Sequence, residues 1–123
     1  MSAEYRNEIT HILKRLKDRM LSLQIQLDYI TDYEDLEECK AHNPFLRVTY
    51  QYLCENMPKI QAEFKLIKRN GLAADNQDSL KALYEQLLSF DETLVYQYTA
   101  KINTLLTAIK KIRHRKTTLL MSS

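Results

Sequence analysis

The chain has 123 residues, of which 45% are hydrophobic and 28% are charged, and its formal net charge is +2. This length suits one domain, and the hydrophobic content is too high for a disordered charged tail. The chain has a single glycine, whereas phosphate-binding loops, dinucleotide fingerprints and the repeated turns of β-sandwiches need several. Composition therefore argues against nucleotide-binding and all-β proteins, and the small net charge indicates no particular partner.

The first segment predicts a long amphipathic helix over about residues 4–39. Its apolar residues recur in steps of 4-3-4-3-4-3, a heptad pattern that favours left-handed supercoiling around another helix. This first seam consists of Ile9, Leu13, Leu16, Met20, Leu23, Leu27 and Ile30. Outside the seam, Ile12, Leu21 and Ile25 add apolar surface, enough to contact a second neighbouring helix.

A second helix is predicted over about residues 44–69. Asn43 is a good N-cap, and Pro44 suits the first helical position because its missing N–H has no partner there. The same 4-3-4-3-4-3 steps form a second seam of Leu46, Tyr50, Leu53, Met57, Ile60, Phe64 and Ile67. Pro58 lies within this helix, off the seam, and predicts a kink.

A third helix is predicted over about residues 77–116, capped by Asp78 or Ser79. Gly71 predicts the end of the preceding helix, in the left-handed conformation. The apolar stripe of the third helix follows steps of 4-3-4-4-4-3-4-3 and includes Leu83, Leu87, Phe90, Leu94, Tyr98, Ile102, Leu105, Ile109 and Ile112. Its average period of about 3.6 keeps the stripe on one face of a nearly straight helix. Residues 117–123 are predicted to fray.

The predicted helices are about 50, 40 and 60 Å long at a rise of about 1.5 Å per residue. A compact domain of this size is only about 30–35 Å across, so these rods either form one elongated bundle or need another chain to cover their stripes. The strict heptads favour the second arrangement. We therefore predict a single all-α domain of three long amphipathic helices, an elongated coiled-coil or helical-bundle subunit with both seams as its partner interface. An ordinary monomeric three-helix bundle is the alternative.

Charge is unevenly distributed along the chain. Residues 28–38 carry six acids and no base, which indicates a solvated acidic face or a docking face for a basic partner. The last acid is Glu92, and the bases that follow include a cluster of Lys110, Lys111, Arg113, Arg115 and Lys116. This basic cluster is typical of a solvated helix end, where cations offset the macrodipole. Its alternative is a polyanion site for nucleic acid, anionic lipid or an acidic protein surface.

No pattern of catalytic or metal-binding residues emerges. The chain has no HExxH or GxSxG motif, its three histidines are scattered, and Cys39 and Cys54 are expected to be free thiols in a reducing compartment. No apolar run approaches the roughly 20 residues of a membrane span, and the first ten residues do not resemble a signal peptide. We therefore expect an intracellular non-enzymatic protein with no cofactor, metal, small-molecule substrate or membrane span.

The order of these features resembles a known family. A leading helix ends near Leu27-Asp28-Tyr29-Ile30, an acidic break follows, and Asn43-Pro44 opens a second helix that ends near Phe64-Lys65. A third amphipathic helix, rich in Lys and in Ile and Leu, completes the pattern. Over nearly its whole length the chain resembles the small subunit of the Ska (spindle and kinetochore-associated) complex.

This resemblance implies an all-helical heterotrimeric core with two longer coiled-coil partners, in which two trimers dimerise. It implies that both seams pair with partner helices and that the third helix closes the bundle. The implied function is to couple kinetochores to spindle microtubules in mitosis, with microtubule association mainly through another subunit and localisation at kinetochore and spindle. Two other functions fit the same residues: a small subunit of a membrane-trafficking or tethering complex, and a basic helical module that binds nucleic acid or tubulin through the basic cluster.

Overall fold

A computed structural model describes the backbone of residues 2–122 and the side chains of residues 5–71 and 73–115. Within this range the chain folds into four helices and has no strand, which confirms the all-α prediction. The elements are α1 (Ser2–Thr31), α2 (Leu36–His42), α3 (Pro44–Ala73) and a last rod made of α4 (Gln77–Thr93), a π-helical turn (Leu94–Thr99) and α5 (Ala100–Ser122).

The predicted first helix is interrupted within the acidic stretch. The backbone N–H of Tyr33 donates to the carbonyl of Ile30 at 3.1 Å, and that of Leu36 donates to the carbonyl of Tyr33 at 3.1 Å, so the chain turns twice. The prediction of a continuous helix to residue 39 is therefore wrong. At about 100° per residue, Leu36 and Cys39 of an unbroken helix would point away from the core. The break turns both inward, where they are buried.

The second predicted helix begins as expected and ends later than expected. The side chain of Asn43 accepts from the backbone N–H of Leu46 at 3.1 Å, and Pro44 occupies the first turn. The helix continues through Pro58 and ends at Ala73. Gly71 is helical, and no residue of the described backbone has a positive φ, so its predicted left-handed conformation is wrong. The glycine allows close approach instead: a Cβ added there would lie 3.1 Å from Leu83 Cδ2.

The last rod begins with a capping box. The side chain of Asn76 accepts from the backbone N–H of Ser79 at 2.8 Å, and Ser79 Oγ accepts from the backbone N–H of Asn76 at 3.3 Å. The N-cap is thus Asn76, two residues before the predicted Asp78, because this pair satisfies free N–H groups reciprocally. At its other end the helix reaches Ser122, past the predicted end at residue 116.

The π-helical turn explains the unusual spacing of the last stripe. Three successive steps of four lead from Phe90 through Leu94 and Tyr98 to Ile102. Three turns of α-helix take only about 11 residues, so an unbroken α-helix would rotate these side chains out of line. The wider π turn takes up the excess, and all four residues are buried.

The three long rods lie side by side. Near one end, the rings of Tyr5 and Tyr84 are 5.8 Å apart, and further along Arg19 contacts Asp91, so α1 and the last rod run parallel. The third rod, α3, packs against both and runs antiparallel to them, as two contacts with the last rod show. The rings of Tyr52 and Tyr98 are 6.1 Å apart, and Phe64 stacks on Phe90 at 6.0 Å.

The core runs along the axis of this elongated bundle and contains both predicted seams. Twelve seam residues are buried by the chain itself: Ile9, Leu16, Met20, Leu23, Leu27, Ile30, Leu46, Leu53, Met57, Ile60, Phe64 and Ile67. Leu13 and Tyr50 are half-buried against them. The premise that the seams need another chain is therefore wrong, because rods of similar length cover one another without a spherical shape. The arrangement is the elongated bundle.

Candidate partner-binding surfaces

The outer face of α1 carries an apolar stripe that the bundle leaves uncovered. Leu21 and Ile25 are each 59% exposed and Tyr29 is 54% exposed. These residues, the outer stripe, are four positions apart, so one lies above another on successive turns. Ile25 follows the buried Leu16 by nine residues, which places it about 180° around the helix. The sequence analysis selected Leu21 and Ile25 but missed Tyr29, although the spacing of four could have found it.

The other exposed apolar side chains are more dispersed. Ile12, which lies outside the first seam with Leu21 and Ile25, is buried within the bundle. On α3, Phe45 is 67% and Val48 is 59% exposed one turn apart, and Leu66, 54% exposed, lies five turns beyond Val48. Tyr96, in the π-helical turn, is 75% exposed, but its neighbour Gln97 is exposed and polar, so Tyr96 does not extend an apolar surface. Among the described side chains, the outer stripe is thus the apolar surface that continues over three successive turns.

A groove lies at the end of the bundle where α1 begins, α3 ends and α4 begins. Its volume is about 640 Å³. The floor is apolar and consists of Ile9, Leu13, Gly71, Ala74, Leu80 and Leu83. Four exposed cations line its rim: Arg6, Lys65, Lys68 and Arg69. We call this the cation-rimmed groove. It was not predicted, because its residues are spread over 78 positions of the chain.

The basic cluster lies at the opposite end of the bundle. Lys110, Lys111, Arg113 and Arg115 have exposed side chains, and the side chain of Lys116 lies outside the described residues. Lys111 and Arg115 line a cleft of about 470 Å³ together with Asn43, which directly follows α2. The fold thus brings the basic cluster to the end that also holds the acids of residues 32–38, so neighbouring negative charge reduces the local positive potential.

Two carboxylate–guanidinium pairs connect α1 to α4 on its lateral face. Arg15 donates to one carboxylate oxygen of Asp91 at 3.1 Å, and Arg19 donates to the other. The Asp91 side chain is only 15% exposed. The partners are 72 and 76 positions apart, so no local pattern indicates this contact. It fixes how α1 and α4 lie against each other.

Tyrosines pack around the π-helical turn. The rings of Tyr52 and Tyr98 are 6.1 Å apart, and Lys101 Nζ lies 4.9 Å from the centre of the Tyr52 ring. Burial, together with the hydrogen bond to Tyr52, raises the pKa of Tyr98 to about 12. A neutral buried phenol of this kind is a packing residue.

The described residues bear on metal binding, disulfide formation and membrane spanning. No group of three or more His, Cys, Asp or Glu side chains in residues 5–71 and 73–115 is placed to hold a metal ion. Cys39 is buried and Cys54 is exposed, and neither forms a disulfide. None of the described helices is long and apolar enough to cross a membrane.

Comparisons with protein-family models, with curated proteins and with solved structures found no match. The fold and the surfaces therefore define the class of this chain by themselves. It is a small all-α bundle with a covered core, an uncovered apolar stripe on α1 and a cation-rimmed groove at one end.

Proposed function

We propose that the chain is a non-enzymatic subunit of a helical complex and that it binds a partner helix on the outer face of α1. The observation that carries this proposal is the outer stripe, whose three large side chains are more than half exposed on successive turns. Contiguous exposed apolar surface on a small protein marks an interaction site. Burial of the outer stripe against a partner stabilises the complex by about 25 cal/mol per Å² of apolar area removed from water.

A partner helix with its own apolar stripe fits this surface. Packed at a shallow angle, its side chains insert between Leu21, Ile25 and Tyr29 in the manner of a coiled coil. Lys14 and Asp18 precede the stripe on the same face of α1 and give the contact a cation and an anion with which to select orientation. The coiled-coil contact is thus made by the outer face of α1, while the two heptad seams hold the chain itself together.

The specific complex that we propose is a kinetochore assembly that couples chromosomes to spindle microtubules in mitosis. This proposal rests on the resemblance in the order of sequence features, from Leu27-Asp28-Tyr29-Ile30 to Asn43-Pro44 and Phe64-Lys65. Tyr29 belongs both to that sequence pattern and to the outer stripe. The partners are then the two longer coiled-coil subunits, and microtubule association is indirect.

The test is localisation in dividing cells with a matched pair of variants. Ile25 and Val48 are equally exposed, at 59%, so Ile25→Asp and Val48→Asp place the same charge on equally open positions. We expect fluorescently tagged wild type and the Val48→Asp variant at kinetochores in mitosis, and the Ile25→Asp variant dispersed. A wild-type signal on membranes or throughout the cytoplasm contradicts the kinetochore proposal. Kinetochore localisation of the Ile25→Asp variant contradicts the role of the outer stripe.

A further inference from the structure

We infer that the cation-rimmed groove receives an acidic amphipathic helix from a partner protein, as a second contact besides the outer stripe. This inference rests on the proposed partner-binding function and specifies the chemistry of a partner segment. The groove and the outer stripe lie on different parts of the bundle and share no residue, so one contact can be removed without the other.

The floor of the groove is the end of the bundle core, open on one side. Ile9, Leu80 and Leu83 are buried, and Leu13 is half-buried because no side chain of the bundle covers it completely. Gly71 lets Leu83 approach α3 closely at this end of the floor, since an added Cβ would lie 3.1 Å from Leu83 Cδ2. A volume of about 640 Å³ accepts several apolar side chains. An apolar floor of this kind receives the apolar face of a helix.

The rim supplies the charge selection. Lys65, Lys68 and Arg69 are at positions i, i+3 and i+4 of α3, so they lie along one wall. Arg6 of α1 lines the groove with them. Lys68 Nζ lies 5.6 Å from the centre of the Phe64 ring, a cation–π contact that holds this ammonium close to α3. None of the described residues that line the groove is acidic.

This arrangement favours an acidic helix over two other occupants. A membrane surface is flat, whereas these cations surround a concave apolar floor. A second copy of the chain has a strongly acidic segment at residues 28–38, but the aliphatic residues of that segment, Ile30 and Leu36, are buried in its own bundle. A partner helix with apolar side chains on one face and Asp or Glu on its flanks satisfies both floor and rim.

The experiment measures binding of synthetic peptides to the full chain by fluorescence anisotropy. The probe is a stapled helical peptide of about 18 residues, long enough to hold helix structure, with Leu at positions i, i+3, i+4 and i+7 and Glu on both flanks. One control peptide has Lys in place of every Glu, and a second has Ser in place of every Leu. We expect the acidic amphipathic peptide to bind and both controls to bind at least about tenfold more weakly, with weakening at high salt.

Two double variants of equal charge locate the site. Lys65→Glu with Lys68→Glu reverses the rim, and Lys110→Glu with Lys111→Glu makes the same change at the far end of the bundle. All four lysines are exposed, so circular dichroism should show both variants folded. We expect the rim variant to lose about tenfold in affinity for the acidic peptide and to gain affinity for the Lys peptide, because opposite charges attract at close range. The far-end variant should stay within about twofold of wild type.

Other results overturn the inference. Equal loss in both double variants shows that net charge alone attracts the peptide. Binding of the Ser control peptide as tightly as the Leu peptide shows that the floor is not used. Rim-dependent binding to vesicles containing an anionic phospholipid, without binding of the acidic peptide, identifies a lipid surface instead. A dimer of wild type that the rim variant abolishes identifies a second copy. In each case the outer stripe is still tested separately by the Ile25→Asp variant.

If the rim variant fails to fold, Lys65→Gln with Lys68→Gln replaces it. This variant removes the charges without adding new repulsion, and its loss of affinity should be smaller but in the same direction. Unchanged affinity of a folded Gln variant contradicts the inference.

Discussion

The two apolar faces of α1 differ in what covers them. The inner face, with Leu16 and Ile30 fully buried, packs against the other rods of the same chain. The outer face, with Leu21 and Ile25 each 59% exposed, is left largely open to solvent by the side chains that the structure describes. Both faces carry Leu and Ile at helical spacing. The comparison therefore shows that an apolar helix face can serve folding or association, and that its place in the bundle decides which.

The largest expected effect is a difference in the free energy of unfolding between Leu→Ala substitutions on the two faces. Leu16→Ala removes a fully buried side chain and should lower the free energy of unfolding by about 2–5 kcal/mol, through lost transfer energy and the cavity left behind. Leu21→Ala, on the same helix, should change it by less than about 0.5 kcal/mol. Urea unfolding followed by circular dichroism measures both. Equal destabilisation by the two variants would show that the outer face is also covered.

Loss of the ion pairs that join α1 to α4 should have an intermediate effect on the free energy of unfolding. Asp91→Asn removes the charge that holds Arg15 and Arg19, and we expect a loss of about 1–2 kcal/mol in the free energy of unfolding because the contacts are only partly shielded from water. Glu92→Gln, which changes the neighbouring exposed acid, is the control. The difference in unfolding free energy between Asp91→Asn and Glu92→Gln should shrink in 1 M salt, because salt screens the attraction between Asp91 and the two arginines. A difference independent of salt would contradict an electrostatic link.

Because Tyr98 is buried in the π-helical turn, we expect the free energy of unfolding to depend on pH in the alkaline range. The pKa of Tyr98 is raised from 10.0 to about 12 in the folded chain, so the folded state keeps this proton when the unfolded state has lost it. Its contribution to stability is therefore complete below about pH 10 and declines as the pH rises towards about 12. Tyr98→Phe should flatten this decline in urea unfolding measured between pH 9 and about 12.

The control for that decline is Tyr96→Phe, on the exposed side of the same turn. This variant should keep the alkaline loss of stability that wild type shows. A decline of equal slope in wild type and in the Tyr98→Phe variant would mean that other groups cause it.

The smallest expected effect on stability belongs to the outer stripe. Replacing both Leu21 and Ile25 with Ala should leave the free energy of unfolding within about 0.5 kcal/mol of wild type, because neither side chain is covered by the bundle. Differential scanning calorimetry measures this directly. A marked fall in melting temperature would show that the stripe supports the fold, and partner binding would then need another surface.

Local patterns predicted the elements better than they predicted what covers them. The Asn43-Pro44 start of α3 follows from capping chemistry, and the seams follow from heptad spacing. A heptad pattern specifies that one apolar helix face packs against another, but it does not specify which chain supplies the second face. The heptad spacing therefore identifies the buried residues, but the prediction that another chain covers them is wrong.

Other features depended on contacts between distant positions. Asp91 meets Arg15 and Arg19 only because α1 and α4 run parallel. The cation-rimmed groove joins the beginning of α1 to the end of α3. By residue type Gly71 favours a helix end, whereas in the fold it lies within α3 and lets Leu83 approach. Each of these requires the tertiary arrangement, which local propensity does not contain.

The central claim is that one copy of the chain covers its own heptad seams. Thermal unfolding of the isolated chain, followed by circular dichroism at two concentrations a hundredfold apart, tests it most directly, because a seam covered by another copy makes the midpoint depend on concentration. We predict one cooperative loss of helix with the same midpoint at both concentrations. A midpoint that rises with concentration, or a chain without cooperative unfolding, would contradict the claim.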